Sequence, residues 1–199
     1  KYTVNEKQKI VVACKDFTKP GVIIQDFASL KNTMIDSEEN GYGTELKTIL
    51  ETIESQKVVD QKELLERFWD MFIVDAFNGN FDRHGGNWGF IKKDNKYRIA
   101  PVYDNGSSMY PKLNTDERIN DVLSSEEEID KRVYTFPTSH VKMEGQKSSY
   151  YEVINSLQFE ECNNALLRIF PRIKFEEIDK LIDSIECIND LRKKFYKRM

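Results

Sequence analysis

Asn80-Phe81-Asp82-Arg83-His84-Gly85-Gly86-Asn87-Trp88 sets a carboxylate, Asp82, and a carboxamide, Asn87, five residues apart in a turn softened by two glycines. Seventeen residues beyond Asn87 a second acid, Asp104, stands in Tyr103-Asp104-Asn105-Gly106. Between them Trp88 to Ile91 and Tyr97 to Val102 read as two short strands, separated by Lys92-Lys93-Asp94-Asn95-Lys96. Asp94-Asn95 suits the centre of a tight turn, because both residues tolerate left-handed dihedrals. Counting outward from that turn sets Phe90 opposite Ile99 and Asn87 opposite Val102, with Asp104 just beyond. Asn87 and Asp104 therefore emerge together at the open end of one hairpin. Pro101 has no N–H, so its side of the hairpin is expected to be an edge or to face a cleft.

This set of groups suits phosphoryl transfer. There, one Asp aligns the attacking hydroxyl and can take its proton, while an Asn and a second Asp hold magnesium on the nucleotide phosphates. Magnesium prefers hard oxygen ligands and keeps several waters, so few protein groups suffice. Asp82 is the expected catalytic acid–base group, and Asn87 and Asp104 are the expected metal ligands and nucleotide-binding residues. His84 is a second catalytic candidate: it orients Asp82, touches phosphate, or bonds a backbone carbonyl within the loop. Arg83 steadies either a phosphate or a carboxylate. A lone Asp in a turn is most often a cap or turn former. The matching intervals to Asn87 and Asp104 favour chemistry here. Trp69 and Trp88 read as core or cleft wall.

The order of residues resembles one kinase family. Eukaryotic-type and aminoglycoside kinases place His before the catalytic Asp, whereas Asp82-Arg83-His84 reverses that order. With Asn87-Trp88-Gly89-Phe90 and Ala100-Pro101-Val102-Tyr103-Asp104-Asn105-Gly106, the pattern resembles the HipA-like serine/threonine kinases. Those share a distant fold with the phosphoinositide kinases, which also carry an Asp-Arg-His loop. Tyr134-Thr135-Phe136-Pro137-Thr138-Ser139 and Lys147-Ser148-Ser149-Tyr150-Tyr151 look like the segment that follows the metal site in that family. The resemblance covers roughly residues 11 to 157 and is most specific over 80 to 106. It implies ATP- and Mg2+-dependent transfer to a protein hydroxyl by a toxin kinase held by a DNA-binding antitoxin. Two other readings stay open: a phosphoinositide or small-molecule kinase lobe, and a non-catalytic lobe that acts as a binding partner.

Along the chain, Asp60-Gln61-Lys62-Glu63 is a capping-box pattern opening the longest helix. Its pairs Leu64-Leu65, Phe68-Trp69, Phe72-Ile73 and Ala76-Phe77 recur every four residues, and Met71 and Val74 widen the stripe. Such a helix belongs at the centre of a domain, and Asn78-Gly79 ends it just before Asp82. Upstream, Val22 to Thr33 is expected to be helical through Ile23, Ile24, Phe27 and Leu30. Asn40-Gly41-Tyr42-Gly43 breaks it, and Thr44 is expected to cap a helix through about Ser55 that carries Leu46, Ile49, Leu50 and Ile53 inward. Ile10 to Cys14 reads as a strand. It is the expected hinge between lobes, with Ala13 and Cys14 meeting the adenine edge. The competing reading makes Lys15 a phosphate lysine, but the ten residues before Val11 contain no glycine for the phosphate loop it needs. An unrelated edge strand is the third reading.

Beyond Gly106, residues 107 to 120 look loop-like, and Ser125-Glu126-Glu127-Glu128 starts a short solvated helix. Ser149-Tyr150-Tyr151-Glu152 is a second capping box, ahead of Val153, Ile154 and Leu157. The tail reads as helices at about 159–170, 175–187 and 189–198, with Leu166, Leu167, Ile169, Phe170, Ile178, Leu181, Ile182 and Ile185 as their inner faces. The basic end, Arg192 to Arg198, suits a solvated helix C-terminus, with a partner-binding patch as the other reading.

The chain has 199 residues, enough for one substantial core, and a net charge of −4 that argues against coating nucleic acid. Cys14, Cys162 and Cys187 lack metal-ligand spacing and read as free thiols of a reducing cytoplasm. No apolar run approaches membrane-spanning length. The chain begins with Lys, which suggests a fragment whose N-terminal nucleotide-clamping lobe is missing, residues 1–20 serving as hinge strand and linker. The expected fold is mainly α within an α+β class: a protein-kinase-like large lobe, helical, with a small β-hairpin at the cleft.

Overall fold

A computed structural model describes residues 2–4, 7–9, 11, 13–34, 44–136 and 138–199, with backbone alone for 2–4, 7–9, 33 and 34. The expected break at Asn40-Gly41-Tyr42-Gly43 lies outside the described residues. The fold is mainly helical, with small antiparallel sheets.

At its centre is the long helix Gln61–Asn78. Asp60 caps it by accepting from the Glu63 N–H at 2.8 Å, and Gly79, at φ 63°, closes it in the left-handed conformation that a residue without Cβ adopts freely. Leu64, Phe68, Trp69, Met71, Phe72 and Ile73 are buried. Val74 and Phe77 are partly exposed, so the apolar stripe is narrower late in the helix than its residues suggest. Helices Leu46–Ser55, Tyr150–Asn155 and Glu160–Ile169 pack around it. Trp88 joins this core by stacking on Phe27, with ring centroids 4.1 Å apart, so the Asp82–Asn87 turn is anchored to it from the far end as well.

The hairpin Gly89–Lys93 with Lys96–Ile99 has Phe90 opposite Ile99, and Asp94 and Asn95 take positive φ at its turn. Pro101 follows the edge strand, as its missing N–H requires. A third strand, Val22–Asp26, pairs with the other side of Gly89–Lys93. It replaces the first part of the helix expected over 22–33. Val22, Ile23 and Ile24 are β-branched residues with a sheet edge to complete, and Ile23 and Ile24 remain exposed. The helix is confined to Phe27–Met34, where Asp26 accepts from the Ser29 N–H at 2.6 Å. Gly89 permits the pairing, since a Cβ there would lie 2.3 Å from the Gln25 carbonyl oxygen.

Other expectations are also corrected. Thr44 does not cap the next helix; its carbonyl accepts from Lys142 N–H at 2.7 Å, which ties that helix to the hairpin Thr138–Met143 and Gln146–Ser149. The span 107–120 contains the start of helix Asp116–Leu123, capped by Thr115. Leu167, Phe170 and Leu181 are exposed; Ile182 is buried as expected, and Cys162 and Ala165 are buried besides. Leu157 is exposed too. At the N-terminal end Val11, Ala13 and Cys14 form no strand and are exposed, while Ile10 and Val12 lie outside the described residues. A short hairpin precedes them, Tyr2–Val4 against Lys7–Lys9.

Several expectations agree with the structure. Ser125 caps Glu126–Tyr134, Ser149 and Glu152 make the full capping box, and the tail helices run Glu160–Ile169, Phe175–Ser184 and Asp190–Arg198. A satellite core of Ile119, Val122, Ile129 and Phe195 joins Asp116–Leu123, Glu126–Tyr134 and Asp190–Arg198. No described helix is long and apolar enough to cross a membrane.

Candidate active site

The central helix carries one buried acid among its apolar residues, Asp75. Its carboxylate accepts from Asn80 Nδ2 at 2.9 Å, and its carbonyl accepts from Asn80 N–H at 2.9 Å. It also forms a two-pronged ion pair with Arg83, 2.8 Å to Nε and 3.0 Å to Nη2. The rest of that guanidinium is spent on the two loops. Nη1 donates to the carbonyls of Asn87 at 2.8 Å, Asp104 at 3.3 Å and Tyr103, and Nη2 donates to the Asn105 carboxamide. A single buried arginine thus fastens the end of the central helix, the Asp82–Asn87 turn and the Tyr103–Asn105 loop into one frame. Planar, five-donor geometry is what allows this.

Within the frame, Asp82 is half-buried. Its backbone is bound on both sides: N–H to Asn80 Oδ1 at 3.2 Å, and carbonyl to Asn87 Nδ2 at 2.7 Å and to the His84 N–H at 3.0 Å. Its carboxylate has no hydrogen-bond or ion-pair partner among the described residues. Asn87 spends its amide nitrogen on Asp82 and keeps its carboxamide oxygen. Asp104 is exposed and sits at φ 54°, a left-handed conformation costly for a residue with a Cβ. Asp82, Asn87 and Asp104 thus share one scaffold. Among the described residues no three His, Cys, Asp or Glu side chains form a metal cluster. One carboxylate and one carboxamide oxygen nevertheless fit magnesium, which takes few protein ligands besides phosphate and water.

His84 is held inside the loop: its Nδ1 accepts from Gly86 N–H at 3.0 Å and its carbonyl from Asn87 N–H at 2.9 Å. Its ring meets that of His140 edge-on, centroids 5.6 Å apart. Burial lowers the His140 pKa from its ordinary value, the charges of Lys147 and His84 lower it further, and Asp82 opposes them. His140 also borders a small cavity of about 20 Å³, with Asp75, Arg83 and Trp88, and its Nδ1 is buried without a hydrogen-bond partner among the described residues. Burial, with the charges of Asp26 and Asp104 adding, pushes the Tyr103 hydroxyl up to about 12, and that hydroxyl donates to Gly86 carbonyl at 3.4 Å. Ser139 is structural, its Oγ donating to Ser148 carbonyl at 2.9 Å. Ala13 and Cys14 are exposed, with no hydrogen bond to this frame among the described residues; further along the same segment, the Phe17 ring lies 6.1 Å from that of Tyr103.

Two frame residues carried weak sequence signals. Asp75 interrupts Phe72-Ile73-Val74-Asp75-Ala76-Phe77, and a lone acid among buried apolar residues implies a partner. Tyr150, whose hydroxyl donates to the Asn80 carbonyl, was visible only as part of a capping box.

Residues 5–188 match the model of the HipA-like C-terminal domain. The chain is 43% identical over 196 residues to the serine/threonine-protein kinase CtkA of Helicobacter pylori, covering 97% of this chain and 60% of that protein. A crystal structure of a Helicobacter pylori proinflammatory kinase CtkA matches it with a TM-score of 0.88 and 42% identity, over 92% of this chain and 68% of that one. The chain thus spans about 60% of the length of the curated relative it matches.

Proposed function

This chain belongs to the HipA-like C-terminal domain family, and from that premise we propose that it is the catalytic lobe of a kinase that phosphorylates protein serine or threonine. The observation that carries the reading is the Arg83 frame, which binds the backbones of Asn87, Tyr103 and Asp104 to one guanidinium beside Asp82. Asp82 holds the acceptor hydroxyl and takes its proton as the oxygen attacks the γ-phosphorus of ATP. The bond to the bridging oxygen breaks, and ADP leaves. Asn87 and Asp104 are the residues that would hold magnesium, which when bound neutralises charge on the phosphates. His84 supports this loop and adjoins Asp82. Ala13 and Cys14 belong to the hinge segment in this reading, and an N-terminal lobe clamps the β- and γ-phosphates. A cytoplasmic toxin restrained by an antitoxin is the biological setting the resemblance suggests.

The test is phosphoryl transfer by the full-length protein. Asp82→Asn should lower transfer at least about 100-fold, the scale of a lost general base, while Mg-ATP still binds. Asp104→Ala should remove the magnesium dependence of nucleotide binding and leave the fold intact. Full turnover by the double variant would overturn the reading.

A further inference from the structure

Beside Asp82 the chain exposes an aromatic wall that the phosphoryl-transfer chemistry does not use. Phe81, the residue before Asp82, stacks on Phe136 with centroids 6.3 Å apart and planes 28° from parallel. Phe136 is 46% exposed, and within the same four-residue stretch Val133 and Tyr134 are about half exposed as well. Behind Phe136 lies Tyr110, 6.4 Å between centroids, itself fixed by a hydroxyl bond to Arg132 carbonyl at 3.2 Å. Lys112 Nζ sits 5.1 Å from the centre of the Phe81 ring and has no carboxylate partner among the described residues. Tyr134 packs edge-on against Tyr151, centroids 4.8 Å apart, so the uncovered apolar surface beside Asp82 is chiefly the half-exposed Phe136 ring on Phe81, which a partner can cover.

We propose that this wall is the docking surface for the acceptor: an extended polypeptide with an apolar or aromatic side chain beside its hydroxyl residue and a carboxylate placed for Lys112. The proposal rests on the reading of Asp82 as the group that holds the acceptor hydroxyl. Continuity in the chain argues for this occupant. Phe81 and Asp82 are consecutive, and in this proposal a segment whose hydroxyl reaches Asp82 extends over the Phe81–Phe136 face. The side chain next to the hydroxyl is then the one that meets the rings. Charge argues for the carboxylate, since an ammonium over a ring face is a half-satisfied cation that an acidic side chain completes. The wall selects sequence context around the hydroxyl, while Asp82 acts on the hydroxyl itself.

The test uses the full-length protein and fluorescent extended Ser-containing peptides that carry Leu and Glu near the serine, with Gly or Lys replacements. Anisotropy measures binding without nucleotide, and phosphate incorporation is measured separately. The Leu/Glu peptide is expected to bind best, and Phe136→Ala should weaken it about tenfold, the scale of one lost aromatic contact. Lys112→Glu should lose the Glu peptide and gain the Lys peptide, a charge swap that a merely destabilised variant cannot produce. Equal binding of all peptides, or an unchanged preference in both variants, overturns the surface. So does displacement of the peptide by phosphoinositide vesicles that are themselves phosphorylated. Selective binding with no phosphate incorporated into any peptide keeps the surface and sinks the kinase reading. Unselective phosphorylation does the reverse.

Discussion

In the proposed reading Arg83 concentrates in one side chain the positioning that phosphoryl transfer needs, and its partner Asp75 makes that concentration stable. The pair is buried, and removing one member strands a charge away from water. Asp75→Asn should therefore cost about 3–5 kcal/mol in urea unfolding. Arg83→Lys keeps the charge but loses the fork that reaches the Asn87, Tyr103 and Asp104 carbonyls. It should cut phosphoryl transfer far more than it lowers stability, and equal losses in both would count against a positioning role. His140 gives a second prediction at this scale. Its folded pKa lies below the ordinary imidazole value of 6.5, so the folded chain binds fewer protons there than the unfolded one. The corresponding stability is complete above 6.5 and is lost as pH falls through the folded pKa. Unfolding at pH 7.5 and 5.5 should show this loss, and His140→Gln should remove His140's share of the slope. That Asp82, Asn87 and Asp104 share one scaffold was legible because their intervals and the hairpin between them bring them together. That Arg83 binds three carbonyls was not, because backbone partners leave no trace in residue identity.

Among the elements, the hairpin was readable down to its register, because Asp94-Asn95 marks the turn and counting outward from it sets the pairs. The strand Val22–Asp26 was not. Ile23, Ile24, Phe27 and Leu30 satisfy helical spacing as well as a strand does, and only the distant edge of Gly89–Lys93 decides between them. Gly89 is the local condition for that choice. In Gly89→Ala a methyl would lie 2.3 Å from the Gln25 carbonyl oxygen, so the two strands must part. The expected cost is about 1–3 kcal/mol, as for overpacking elsewhere, with amides of 22–26 losing hydrogen-exchange protection first. Unchanged stability would mean that the strands do not approach this closely. The helix Asp116–Leu123 was missed because its inward face is only Ile119 and Val122, too short a repeat to register. Leu167 and Leu181 show the opposite failure: periodicity identifies a helix correctly without saying which apolar residues find a partner.

Over the whole molecule, two cores of unequal size divide the labour. The larger one surrounds Gln61–Asn78 and holds the Asp82–Asn87 turn through Trp88. The smaller one, built on Phe195, joins three helices and, through Tyr110, backs the aromatic wall. Phe195 touches Tyr110 at 5.7 Å between centroids, and Tyr110 touches Phe136. The end of the chain is tied to the same unit by Arg198 to Glu126 at 3.2 Å and Asn189 to Asp116 at 3.0 Å, both exposed and individually weak. Phe195 is fully buried, so Phe195→Ala removes its contacts and leaves a cavity, at a cost of about 3–5 kcal/mol. If the cores are separable, that loss stays local. Amides of 116–134 and 190–198 should exchange faster, while those of 61–78 keep their protection. Acceptor-peptide selectivity should fade in the same variant, because Phe136 loses its backing, whereas Mg-ATP binding at Asn87 and Asp104 should persist. Uniform acceleration of exchange across 61–78 would show instead that the molecule unfolds as one unit. The acceptor wall would then be no more independent than the frame beneath it.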